Sequence, residues 1–162
     1  MRTMILATAL LFTAATAFAE DKTVAFPPGK DAVVNLTVPK AAKVTTDQGK
    51  TTIDTPKGNV YLWVAADAKT IDDAVKGIGK IVESEVKEIK VSETKSIKVA
   101  DTDAKQLTAK TKEADDGDDG TSAFVVLKFG GKIIVACVHG EGDAATRQLP
   151  WLLEALGTAK KP

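Results

Sequence analysis

The chain has 162 residues, with 22 Lys and Arg against 22 Asp and Glu, one Cys and one His. Balanced charges interspersed along the chain lack the electrostatic footprint that nucleic acid or an anionic membrane surface requires. A single cysteine excludes an intramolecular disulfide, and one Cys with one His cannot assemble a zinc site of the usual Cys/His type.

Arg2 precedes an apolar run from Met4 to Phe18, interrupted only by threonines and ending in Ala17-Phe18-Ala19. A positive start, an apolar centre and a small-x-small end form the pattern of a secretory signal peptide. Residues 1–19 are therefore expected to be removed by cleavage after Ala19. The run falls short of the ~20 apolar residues a membrane-spanning helix needs, so no integral membrane segment is expected after cleavage. The mature chain is expected in the periplasm or secreted. Its organisation reads as an N-terminal arm over 20–32, a single α+β domain over 33–158 and a frayed tail over 159–162.

Val24 to Phe26 reads as a short edge strand ended by Pro27-Pro28-Gly29. Val34, Leu36 and Val38 alternate with Asn35 and Thr37, which predicts a half-buried strand stopped by Pro39. Lys43–Thr46 and Thr51–Thr55 flank Asp47-Gln48-Gly49-Lys50, a hairpin signal. Pro56-Lys57-Gly58-Asn59 marks the next turn, and Val60–Ala65 (VYLWVA) a strong strand.

Thr70-Ile71-Asp72-Asp73 has the form of a capping box. Ile71, Val75, Ile78, Val82, Val86 and Ile89 then recur at spacings of three and four, the stripe of one long amphipathic helix. Gly77 and Gly79 lie inside that stripe, each costing about 1 kcal/mol relative to Ala in a helix interior. Lys90–Val99 and Lys105–Glu113 read as two strands with one wet face. Ala123–Phe129 and Lys132–His139 form the clearest hairpin, because Gly130-Gly131 supplies the positive φ angles of a two-residue turn. Their apolar runs, FVVL and IIVACV, suit strands covered on both faces. Leu149, Leu152, Leu153 and Leu156 mark a final helix, with Pro150 in its first turn or inside a longer helix begun near Asp143.

Short turns make consecutive strands largely antiparallel. The predicted fold class is α+β: an α-β-α sandwich whose central, mostly antiparallel sheet has a helix on each face. The order of these elements resembles the Mog1/PsbP-like fold, which includes small bacterial exported members such as DcrB. The carriers are the early strands ending in VYLWVA, the Thr70-capped helix, the run AFVVLKFGGKIIVACVHG and the leucine-rich last helix. The resemblance covers roughly 33–156. It implies a non-enzymatic sandwich used as a binding or assembly module, and it carries over no functional residue.

Cys137 and His139 stand two apart on one strand and share a face, which admits a nucleophilic pair but suits a core thiol better. Asp115, Asp116, Asp118 and Asp119 crowd one loop, a calcium candidate that does not match the EF-hand pattern. Tyr61, Trp63 and Trp151 are candidates for a ligand-binding cleft where the last helix meets the sheet, against the blander role of core packing. The chain contains no phosphate-binding Gly loop, no Gly-x-Ser-x-Gly and no His-Glu-x-x-His. It is thus expected to be no enzyme, to need no cofactor, and to act on an unknown protein partner in the cell envelope. The alternatives are an exported small-ligand or calcium-binding protein and, third, a hydrolase using His139 with an acidic residue.

Overall fold

The alternation in Val34-Asn35-Leu36-Thr37-Val38 builds a strand with one buried and one half-buried face. The same logic recurs down the chain of the computed structural model, which describes residues 20–162. The signal-peptide expectation lies outside the described residues. The elements are β1 (Asp21–Phe26), β2 (Val34–Pro39), β3 (Lys43–Asp47), β4 (Lys50–Thr55) and β5 (Gly58–Val64). Then come α1 (Ile71–Lys76), α2 (Ile78–Ile81), β6 (Val86–Val99), β7 (Thr102–Glu113), β8 (Asp119–Phe129), β9 (Lys132–Gly140) and α3 (Ala144–Gly157).

β3 to β9 form one sheet in the order β3-β4-β5-β9-β8-β7-β6, with every neighbouring pair antiparallel. β9 is inserted between β5 and β8, so α1 and α2 carry the chain across the sheet from β5 to the far edge. The Gly130-Gly131 turn has φ of 56° and 80°, and the Gln48-Gly49 turn 46° and 80°. Left-handed angles at both central positions match the twist of the flanking strands.

Two cores lie on either side of the sheet. On one face, α3 and the separate β1–β2 hairpin cover Leu62, Val125, Leu127, Ile134, Ala136 and Val138, with Trp151, Leu152 and Leu156 brought down from the helix. On the other, α1 and α2 lay Ala74, Ile78 and Val82 over Trp63, Phe124, Val126, Val135 and Cys137. β8 and β9 contribute to both, which explains their apolarity on alternate and intervening positions alike. Each fully buried Leu, Ile or Phe here contributes roughly 1.5–3 kcal/mol of burial free energy. The α+β sandwich with helices on both faces is therefore present, although the sheet dominates it.

Three expectations are corrected. The single long helix is broken. The Thr70 capping box forms, with Asp73 N–H donating to Thr70 Oγ1 at 3.0 Å and Thr70 N–H to Asp73 Oδ2 at 3.0 Å. Gly77 then ends α1, Val82 ends α2, and Val86 opens β6. The stripe continues through Val86 and Ile89 because both pack into the same core from a strand. The strand expected at Val24–Phe26 begins earlier, at Asp21: β1 pairs with β2 along its length, and Phe26 is only 1 % exposed. Residues 159–162 do not fray at their start, since Lys160 exchanges two backbone hydrogen bonds with Asn35, at 2.8 and 3.0 Å. α3 is the longer helix begun after Asp143, with Pro150 inside it.

Gly58 occupies a backbone position that favours glycine. It has φ of 124°, and a Cβ there would meet the Gln148 side chain at 2.7 Å. A larger residue would be strained at that angle and would displace the end of the Gln148 side chain.

Candidate functional site

α2 stops at Ile81, and the chain turns through residues 83–85 into β6. The end of the sheet beyond that turn is filled by polar side chains from strand ends. Glu85 comes from the turn, held by its backbone: Glu85 N–H donates to Val82 O at 2.9 Å, and Ala114 N–H donates to Glu85 O at 3.0 Å. Lys50 begins β4, Tyr61 lies in β5, His139 nears the end of β9, and Glu113 ends β7. Glu113 is the cross-strand partner of the buried Val86, which places it on the α1–α2 face.

The carboxylate of Glu85 joins the group. His139 Nε2 donates to Glu85 Oε1 at 3.0 Å, and the Lys50 ammonium pairs with Glu85 Oε2. His139 Nδ1 lies 3.7 Å from Glu113 Oε1 and is buried without a hydrogen-bond partner. The Tyr61 ring stacks on the imidazole at a centroid separation of 4.9 Å, and Lys50 Nζ stands 5.4 Å from the Tyr61 centroid. Asn59 Nδ2 donates to the Tyr61 hydroxyl at 3.3 Å. Beside the cluster, Ser122, the cross-strand neighbour of His139, shares a buried 2.7 Å hydrogen bond with Thr111.

Electrostatics follow from this packing. Burial works to raise the Glu85 carboxyl, but the hydrogen bonds and positive charges of His139 and Lys50 outweigh it and hold the group below the ordinary carboxylate range. Burial pushes Tyr61 up to about 12; the Asn59 hydrogen bond opposes this and the negative charge of Glu85 adds to it. Burial, with a smaller contribution from Glu85, pushes the Cys137 thiol well above its usual value. A buried, protonated thiol is a poor nucleophile. The arrangement does one thing well chemically: it holds an ionised carboxylate between two donors and so ties β4, β9 and the α2–β6 turn together.

The sequence-predicted residues are distributed differently from expectation. Tyr61 and Trp63 do come together, with ring centroids 6.3 Å apart. Trp151 does not join them. It packs in the α3 core on the opposite face of the sheet, so a cleft shared by all three is not formed. The reason is register: side chains at 61 and 63 point away from α3. Trp63 instead lines a cleft of about 360 Å³ with Ala65, Ala68, Gly77, Lys80 and Ile81.

In the acidic loop, Asp118 N–H donates to Asp116 Oδ1 at 3.0 Å, and Asp119 lies 3.5 Å from Lys112 as the first residue of β8. Among the described residues no three carboxylate, imidazole or thiol groups gather closely enough to hold a metal ion, so Asp115, Asp116, Asp118 and Asp119 do not converge as a calcium site would require. Cys137 is fully buried. Lys50, Glu85 and Glu113 escaped the sequence reading. Glu85 is 54 residues from His139 and 35 from Lys50, and no local pattern marks such a meeting.

No protein-family model matches the chain, and no curated protein matches it by sequence. Among solved structures, cyanobacterial PsbP (CyanoP) from Synechocystis sp. PCC 6803 superposes with a TM-score of 0.59 at 9 % identity, covering 91 % of this chain and 96 % of that one. A protein of unknown function from Pseudomonas aeruginosa follows with a TM-score of 0.49 at 10 % identity, covering 88 % and 97 %. A Bacteroides thetaiotaomicron protein has a TM-score of 0.49 at 14 % identity, covering 80 % and 45 %. The first of these identifies the fold as Mog1/PsbP-like. Among the described residues no helix is long and apolar enough to cross a membrane.

Proposed function

We propose that the chain works outside the cytoplasm as a non-catalytic binding or assembly module that engages a protein partner in the cell envelope. The observation that carries this reading is the condition of its reactive groups. Cys137 and Ser122 are fully buried, His139 Nε2 is bonded to Glu85, and Glu85 is also paired with Lys50. A catalytic base needs a substrate proton within reach, and a nucleophile needs access. Here the cluster is a strut inside the fold, and the outer surface is left for recognition. The PsbP-like fold agrees with such a role by analogy alone. The Met4–Phe18 run and the Ala17-Phe18-Ala19 end support export.

Three measurements test the proposal. The chain recovered from an envelope fraction should begin at Glu20 by N-terminal sequencing; a cytoplasmic chain retaining Met1 defeats the export step. Cross-linking in intact cells should give a reproducible adduct with one envelope protein. Turnover of an ester, peptide or phosphoester that is lost in His139→Ala would overturn the non-catalytic reading.

A second reading rests on the Trp63 cleft, which has an apolar floor and a rim of Gln48, Asp67, Asp73 and Lys80. Such a site suits a small, partly apolar ligand. Ligand-dependent quenching of tryptophan fluorescence that vanishes in Trp63→Phe, with Trp151 as the remote control, would establish it.

A further inference from the structure

The sheet has two open edges, and they differ in kind. β6 is 14 residues long and carries Lys87, Glu88, Lys90, Glu93, Lys95 and Lys98. Its pairing with β7 is interrupted by two register shifts, and Glu88 has a φ of 49°. Charges and bulges of this sort keep an edge from pairing with another strand. β3 has neither. Its five residues, Lys43-Val44-Thr45-Thr46-Asp47, pair with β4 in unbroken register and carry charge only at the two ends. The central Val-Thr-Thr is strongly strand-forming.

We infer that β3 is a self-association edge: two copies of this chain pair their β3 strands antiparallel about a two-fold axis at Thr45. Main-chain geometry selects that register. The hairpin closes at Asp47↔Lys50, and in a two-residue hairpin this closing pair is hydrogen-bonded. Lys43, Thr45 and Asp47 therefore direct their N–H and C=O groups toward β4. Val44 and Thr46 direct theirs to the open edge. Pairing about Thr45 sets Val44 opposite Thr46 of the second copy and Thr46 opposite its Val44, so all the outward groups of these two residues find partners.

Side chains agree with the main chain. The same register places Lys43 opposite Asp47 of the second copy, on both sides of the axis, and Thr45 opposite Thr45. Opposite charges and threonine pairs across strands are stabilising, and they sit at the closely spaced, non-hydrogen-bonded positions, Thr45 between the hydrogen-bonded pairs and the ion pairs on either side of them. Shifting the register by two residues would lose both ion pairs. Within the chain neither Lys43 nor Asp47 has an ion-pair partner among the described residues, and both are exposed. A closed, isologous arrangement of this kind leaves no β3 edge free to propagate further. It is independent of the envelope-partner reading and stands or falls without it.

Five-residue strands bury little area, so the dimer is weak and concentration-dependent. Sedimentation velocity of the purified chain from about 10 µM to about 1 mM should show the weight-average coefficient rising from monomer toward dimer. Lys43→Asp and Asp47→Lys should each weaken association about tenfold, because each sets like charges opposite one another. The double variant should restore it. Amide exchange of Val44 and Thr46 should slow as concentration rises, while that of Lys43 and Thr45, already paired to β4, should not respond. A chain that stays monomeric throughout overturns the inference. So does a dimer indifferent to the charge exchange, or a monomer that takes an added extended peptide along β3. Both altered positions are exposed, so circular dichroism of each variant confirms that the fold is intact.

Discussion

Tyr61 offers the most direct test of the cluster, because it is the only tyrosine in the chain and the absorbance of ionised phenol therefore reports it alone. Burial, aided by the Glu85 charge, moves its titration from 10.0 to about 12. At about 1.4 kcal/mol for each tenfold change, and after allowance for its partial exposure, the neutral phenol is favoured by roughly 2 kcal/mol in the folded chain. The raised value means that the folded state holds this proton more tightly than the unfolded state does. Its stability contribution is complete below pH 10 and is lost as pH rises through about 12. Stopped-flow jumps to successive alkaline pH values, read at 295 nm before the fold opens, should give a midpoint near 12; the urea-unfolded chain should titrate near 10.0. Glu85→Gln should lower the folded midpoint by removing the adjacent negative charge. Tyr61→Phe should remove the part of the alkaline stability loss that this proton causes. A folded chain whose phenol titrates near 10 would refute the reasoning, since neither burial nor the Glu85 charge would then act on Tyr61.

Glu85 predicts the opposite dependence. Its folded value is depressed below the usual 4.5, so its contribution is present above that value and is lost as pH falls through the lower one; chemical denaturation from pH 7 to pH 3 should show Glu85→Gln losing less stability than the parent. Glu85→Ala at pH 7 should cost about 3 kcal/mol, because Lys50 and His139 are left with less than a full set of partners in a largely buried place. Leu62→Ala, at a fully buried position in the central part of the sheet, should cost about 2–5 kcal/mol in urea unfolding. Cys137 should react with an aromatic disulfide reagent at the rate of global opening in native buffer and within seconds in denaturant.

Much of the local structure was legible in the residues themselves. Gly130-Gly131 and Gly49 encode tight turns because left-handed backbone angles are needed there and few residues other than glycine supply them. Thr70 and Asp73 cap α1 through neighbours three residues apart, and the two-faced apolar runs of β8 and β9 announce a strand with cores on both sides. From these alone the α+β sandwich follows. The stripe from Ile71 to Ile89 misled beyond Gly77, because periodicity records which residues reach the core and says nothing of the element that delivers them. Tyr61 and Trp63 were separated from Trp151 by a sheet that only the assembled strands define. The meeting of Lys50, Glu85, Glu113 and His139 was likewise decided by topology. β9 enters between β5 and β8, and the α1–α2 crossover returns the chain to the far edge, so four distant polar side chains converge at one end of the sheet. Local chemistry acts over three or four residues and can be read in order; a cluster assembled across 54 residues of chain exists only once the fold has closed.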